Sequence, residues 1–225
     1  MGAAEYINGA KARREDISRF VVHLTKDFEG KLAPENLLSI LSSHTIYAKN
    51  HYCLFESDLK LQALSNRKKF HVTCMTETPL NQVKNMFNIE GRSINFQPYG
   101  VIFNKSDIES YYHGSPCIYA NGKNKRMISS YWTIYNNSKA NNFNDGFPEI
   151  GALTHMFNKD KDFDFSWERE WRILGDFNFD PWHVVAIISE DKSLKIPSEY
   201  SHAPIINPEW GYEEMIIRIA RQSLG

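Results

Sequence analysis

A mixed α+β fold is what this sequence predicts, and three observations carry that reading. Short apolar runs rich in β-branched residues are scattered among stretches with the apolar spacing of short helices. The two kinds do not alternate in long, regular βα units, which argues against a doubly wound parallel sheet. No G-x-G-x-x-G follows a strand and opens a helix, so any dinucleotide is held in a non-Rossmann manner.

The elements follow in chain order. Residues 1–18 are polar, charged and helix-permissive and read as an arm or short helix ahead of the domain. Phe20 to Thr25 is an apolar, β-branched run that reads as a buried strand carrying His23. Pro34 suits a helix start, and Leu37, Leu38 and Leu41 share one helical face. Ile46-Tyr47-Ala48 reads as a short extended piece, Ser57 to Lys69 as a helix, and Phe70 to Met75 as a second buried strand. Leu80 to Phe87 has helical spacing with Thr78 as its cap. Tyr99 to Phe103 is a strand, Ser106 to Glu109 opens a short helix, and Pro116 to Ala120 is strand-like up to Asn121-Gly122. From Met127 to Phe157 the pattern is helical in parts, interrupted at Asn136-Asn137 and at Asn141 to Gly146. Trp167 to Ile173 and Val184 to Ile188 are further strands. Tyr212 to Leu224 reads as an amphipathic helix through Met215, Ile216, Ile219 and Ala220, core helix before docking tail.

With 225 residues, 42% of them hydrophobic and 13% aromatic, the chain can bury a core without disulfide or metal staples. No Pro/Gly/Ser-rich linker or repeat divides it, so residues 19–225 are expected to form a single domain. The formal net charge of −1 gives no global attraction to nucleic acid or anionic lipid. Arg67-Lys68-Lys69 and Lys123 to Arg126 are the local basic patches, and each reads first as a solvated loop. Cys53, Cys74 and Cys117 are isolated and odd in number, which suits reduced thiols in a cytoplasm. His44, His51 and Cys53 lack the second half of a zinc site, so no metal is expected. No run approaches the ~20 apolar residues of a membrane span, and the expectation is a cytoplasmic protein with no membrane partner.

Three features can carry chemistry. Read as a strand, Trp167 to Ile173 places Glu168 and Glu170 side by side on one face and Trp167, Arg169 and Trp171 on the other. Neighbouring carboxylates repel, which raises the pKa of at least one and suits a division between charge stabiliser and proton acceptor; the plainer reading is an exposed face balanced by Arg169 and Arg172. His23, with Thr25 on the same face, is either a satisfied structural histidine or a donor to a ribose or diphosphate oxygen. Hydroxyls at Thr73, Thr76 and Thr78, around Glu77, leave a strand end together and serve a ribose or a helix cap equally well.

Their order, a strand with His, a hydroxyl-bearing strand end and a late Glu-x-Glu, resembles the ADP-ribosyltransferase superfamily. The segments Arg19 to Thr25, Cys74 to Pro79, Pro98 to Phe103 and Trp167 to Arg172 are similar to the AbiGi family of abortive-infection proteins, over most of the chain. More distantly they resemble the toxins DarT and CmdT, which place ADP-ribose on nucleic acid. No arginine stands beside the Thr76 to Pro79 turn as in DarT-like enzymes, so the likeness does not extend to a DNA-base target.

The resemblance implies a split pair of β-sheets around an NAD-binding cleft, flanked by helices. It implies an NAD-dependent ADP-ribosyltransferase of phage defence or toxin–antitoxin control, with a macromolecular acceptor, RNA included, and an antitoxin or regulatory partner. Glu170 would bond the nicotinamide ribose and stabilise the oxocarbenium-like state, and Glu168 would orient the acceptor or take its proton. His23 would position the adenosine-side ribose with help from Thr25 or Thr76, and an aromatic residue, Tyr47 or Phe87, would stack on nicotinamide. An NAD hydrolase and a non-catalytic partner-binding protein on the same fold remain open beside it.

Overall fold

The computed structural model describes residues 14, 16–87, 89, 94–157, 164 and 166–222, with residues 221 and 222 described through their backbone alone. All but a few residues of the expected arm, and the end of the expected last helix at Leu224, lie outside them. The fold is α+β. A mixed seven-stranded sheet runs in the order Ile205–Ile206 (β11), Val184–Ser189 (β10), Tyr99–Asn104 (β4), Phe20–Leu24 (β1), Val72–Thr76 (β3), Glu170–Leu174 (β8) and Ser115–Pro116 (β5). Two small sheets pair Thr45–Ile46 (β2) with Phe177–Asn178 (β9), and Ile118–Asn121 (β6) with Thr154–Phe157 (β7). Among the described residues no helix is long and apolar enough to cross a membrane.

The chain divides into two compact units, each drawn from separate stretches: residues 1–44, 76–107 and 180–225 in one, 45–75 and 108–179 in the other. In the first unit β1 pairs antiparallel with β4 along its length, from Phe20 opposite Asn104 to Leu24 opposite Gly100. Gly100 is required there: a Cβ would stand 2.5 Å from the His23 carbonyl oxygen and 3.2 Å from Leu24 Cδ2. β10 continues the sheet antiparallel to β4 with a bulge at Val185, and β11 adds a short parallel edge.

One face buries Val22, Leu24, Ile102, Ala186 and Ile188 with Val83, Met86, Ile206 and Met215. The helix Ala33–Ser43 (α1) packs along β4 and buries Ala33, Leu37 and Leu41 completely. Its start is fixed by Pro34 and by two carboxylates: Ala33 N–H donates to Asp27 and Leu32 N–H to Glu35. Its end turns through His44 in the left-handed region, and the Tyr200 hydroxyl donates to the Leu41 carbonyl at 2.9 Å.

The second unit is built on rings. Phe55, Phe70, Tyr135, Phe143 and Phe147 form its core, with Tyr135 stacked on Phe55 at 4.5 Å and Trp132 edge-on to both. Tyr135 and Trp132 come from the helix Lys125–Ala140 (α5), whose Asn124 side chain caps its start. The Tyr135 hydroxyl and Lys139 Nζ both donate to Asp58, in the short helix Glu56–Leu59 (α2). Burial of the Asp58 carboxyl opposes ionisation, but these hydrogen bonds overcome it and its pKa falls.

Several expected boundaries move. Ser57 to Lys69 is two helices, α2 and Leu64–Lys68 (α3), not one. Asn136 and Asn137 do not break α5, because Tyr135 and Ser138 on either side are buried and hold that turn; the loop begins at Asn141. Leu80–Met86 is a 3₁₀ helix that Thr78 does not cap. The Thr78 hydroxyl turns instead to the Thr76 hydroxyl and Met86 sulfur. Pro116 to Ala120 divides between β5 and β6, which belong to different sheets.

Candidate functional site

Glu170 opens β8 and Arg172 follows two residues on, so the pleat sets both side chains on one face. Arg172 is 2% exposed, the largest side chain so completely covered among the described residues. Its Nη2 donates to Glu170 Oε2 at 2.8 Å and its Nη1 to the Ala152 carbonyl at 2.6 Å. Its Nε finds no hydrogen-bond partner among the described residues. The Glu170 side chain keeps 18% of its surface open.

The surroundings of this pair come from β3, β6 and β7. The Cys74 thiol hydrogen-bonds Glu170, Asn50 Nδ2 donates to Cys74 Sγ at 3.7 Å, and the Glu170 N–H donates to the Tyr119 hydroxyl oxygen at 3.0 Å. Cys117 donates its N–H to the Glu170 carbonyl and its thiol to the Leu153 carbonyl. His155, on β7, lies close enough to act on the carboxylate.

Burial pushes the Glu170 carboxyl toward its neutral form, but the charge and hydrogen bond of Arg172, with the Cys74 hydrogen bond behind them, outweigh it and the pKa falls. Glu170 is therefore an anion at neutral pH. Arg172 is correspondingly locked in its charged form: burial opposes it, and Glu170 prevails. Burial lowers the His155 pKa, with Arg172 adding to the effect, and that imidazole is neutral. The same burial raises the Cys117 thiol to about 12 and the Cys74 thiol well above its ordinary value, so neither is a thiolate.

The expected Trp167 to Ile173 strand is not formed over its first half. Ser166–Glu168 is a 3₁₀ turn, and Arg169 takes φ +48°, the left-handed region, so strand alternation begins only at Glu170. Glu168 and Glu170 are thus not neighbours on one strand face. Burial raises the Tyr119 phenol, and the charges of both carboxylates add to that rise. Tyr47 lies in the same unit and is exposed.

The other three candidates belong to the first unit. Thr25 is buried, with its hydroxyl donating to the Ala33 carbonyl at 2.9 Å and lying 3.3 Å from the Tyr99 carbonyl, so it ties the end of β1 to the start of α1. Thr76, also buried, shares a 2.7 Å hydroxyl contact with Thr78 and accepts the Thr78 N–H. His23 is half-buried on β1 opposite Val101. Next to these threonines Glu77 accepts from Lys105 Nζ at 2.8 Å, an ion pair with both side chains under a tenth exposed.

Arg172, Tyr119, Cys74 and His155 around Glu170 are what the sequence reading did not assign to the site. Only Arg172 carried a signal, its position two residues after Glu170. Among the described residues no group of three or more His, Cys, Asp or Glu side chains could hold a metal ion. No protein-family model matches the chain, and neither curated proteins nor solved structures provide a match.

Proposed function

We propose that this chain is an NAD-dependent ADP-ribosyltransferase that acts in phage defence or toxin–antitoxin control and moves ADP-ribose from NAD to a macromolecule. The observation that carries the proposal is Glu170: an anion held in a largely water-free setting by a fully buried arginine, with part of its surface open. A fixed carboxylate in low dielectric stabilises a developing cation far better than one in water. The AbiGi-like Glu-x-Glu segment supports the same reading.

In the reaction the C1′–N bond of NAD breaks and nicotinamide leaves with the bonding electrons as a neutral molecule. The ribose is left with oxocarbenium character. Glu170 accepts a hydrogen bond from the ribose 2′-hydroxyl and faces the positive charge as it grows. An acceptor nucleophile closes on C1′, and its proton passes to Glu168. Arg172 keeps Glu170 ionised and aligned; it is a positioning residue. Water in place of the acceptor makes the same chemistry a hydrolysis.

Isotopically labelled NAD incubated with the protein and, separately, cellular RNA, DNA or protein tests this, with Glu170→Gln alongside and its folding checked by circular dichroism. Label entering one pool, lost in a folded Glu170→Gln, supports the transferase and names the acceptor class. Nicotinamide release without transfer moves the assignment to a hydrolase. No release from the wild-type chain overturns the enzyme reading.

A further inference from the structure

Tyr119 holds Glu170 in place and keeps its own hydroxyl proton disengaged. It stands on β6, opposite His155 of β7 in the parallel pair, and two hydrogen bonds tie its segment to the start of β8. Cys117 N–H donates to the Glu170 carbonyl at 2.7 Å, and the Tyr119 hydroxyl oxygen accepts the Glu170 N–H at 3.0 Å. Residues 117–119 thus clamp both main-chain groups of Glu170, which fixes the phenol beside that residue. A phenol proton lies near the ring plane, so the N–H on one side turns it to the other, where no acceptor for it stands among the described residues. Burial of the ring raises its pKa, and the charges of Glu170 and Glu168 add to that rise, so the group is a donor at neutral pH. A half-buried donor without an acceptor, next to a partly open carboxylate, is a group kept for a ligand.

On the reading of Glu170 as the group that accepts from the ribose 2′-hydroxyl, we propose that Tyr119 reads the neighbouring 3′-hydroxyl of the same ribose, donating its proton to that oxygen. A ribosyl cis-diol suits the pair, because each hydroxyl can donate or accept and adjacent ones can do one each. A phosphate or carboxylate ligand fits worse: the phenol could donate to it, but the Glu170 anion repels it. A bare cation has the carboxylate and no use for the donor. The 3′-oxygen gains no charge when the C1′–N bond breaks, so the Tyr119 hydrogen bond holds substrate and transition state alike. Its effect therefore falls on KM rather than on kcat. Tyr119 is a binding residue that selects for the diol.

Nicotinamide release is measured from NAD and from NAD lacking the 3′-hydroxyl of its nicotinamide ribose, each with the full wild-type chain and with Tyr119→Phe. The wild type is expected to favour NAD by about tenfold in kcat/KM, chiefly through KM, the size expected of one hydrogen bond. Tyr119→Phe keeps the ring and its packing, and it is expected to treat the two substrates alike. A hydroxyl that served only to hold the Glu170 N–H would slow both substrates equally and leave the preference standing in the variant, which overturns the proposal. A wild type indifferent to the 3′-hydroxyl, while still releasing nicotinamide, overturns it too and leaves the enzyme reading intact. No release from NAD itself overturns the enzyme reading, and the role of Tyr119 falls with it.

Discussion

Replacing Arg172 by Met tests the central physical statement about the site, that the Glu170 carboxylate is held ionised by a buried counter-charge. The substitution keeps most of the volume and removes two hydrogen bonds, one to Glu170 Oε2 and one to the Ala152 carbonyl. The carboxylate then stays covered with no cation beside it, and breaking a buried pair from one side costs about 3–5 kcal/mol. That is a large fraction of the roughly 5–15 kcal/mol by which a domain is stable. Glu170→Met strands the guanidinium instead, and the loss falls in the same range of about 3–5 kcal/mol. The double variant, apolar at both positions, carries neither stranded charge and recovers most of the loss, since apolar replacements of buried pairs are often neutral within about 1–4 kcal/mol in either direction. Guanidinium unfolding followed by tryptophan fluorescence and circular dichroism measures all three. Single variants that each lose under about 1 kcal/mol, or a double variant at the sum of the two, would falsify the account of Glu170 and Arg172 as one buried unit.

Three further outcomes follow from the geometry. Gly100→Ala drives a Cβ against the His23 carbonyl oxygen, a backbone atom that cannot step aside, so the β1–β4 ladder shifts and stability falls by about 1–3 kcal/mol in thermal unfolding. Burial lowers the pKa of both His51 and His155, whereas the unfolded chain takes up protons below about pH 6.5. Stability is therefore complete above that pH and declines as the pH falls through the lowered values, and His51→Phe makes the dependence shallower; an urea midpoint constant from pH 7.5 to about 5.5 would show the imidazoles to be solvated. Burial raises the Cys53 thiol to about 11 and the Cys117 thiol to about 12, and holds the Cys74 thiol well above its ordinary value, so an aromatic disulfide reagent titrates no thiol in the native chain at pH 7.5 and three after unfolding, with rapid native labelling as the contrary result.

The strands were legible where burial on both faces writes a continuous apolar run. Phe20 to Thr25, Tyr99 to Phe103 and Val184 to Ile188 each fall within a residue of β1, β4 and β10. Alternation failed at Trp167 to Arg169 because a non-glycine residue takes a positive φ there, and nothing in Arg169 as a residue type announces that. It failed at Asn136 and Asn137 for the opposite reason: weak helix formers are carried by buried neighbours, Tyr135 and Ser138. The Glu170–Arg172 pair was half legible. Two residues apart on a strand they must share a face, but only the break at Arg169 shows that Arg172, and not Glu168, is the partner across that face. Tyr119, Cys74 and His155 come from three other strands, and their approach to Glu170 is a product of sheet order that no local pattern holds.

A buried ion pair is as much a structural device as a catalytic one, and the two roles part company in how activity depends on pH. In a transferase that uses the Glu170 anion, the acid limb of the rate reports the titration of that carboxyl, which Arg172 holds below its ordinary value of about 4.3. Label transfer then stays flat from neutral pH down to the point where the fold itself begins to take up protons. Arg172→Lys keeps the cation but not the two-pronged reach to Glu170 and the Ala152 carbonyl. With the attraction weakened, burial reasserts itself and the acid limb moves toward neutral pH, while circular dichroism at the same pH shows the chain still folded. A structural pair predicts the other pattern: transfer lost only where the spectrum is lost, with limb and unfolding moving together. An acid limb that Arg172→Lys leaves in place would therefore remove Glu170 from the chemistry even if the variant is less stable, because the group that titrates in turnover would not be the one that Arg172 holds.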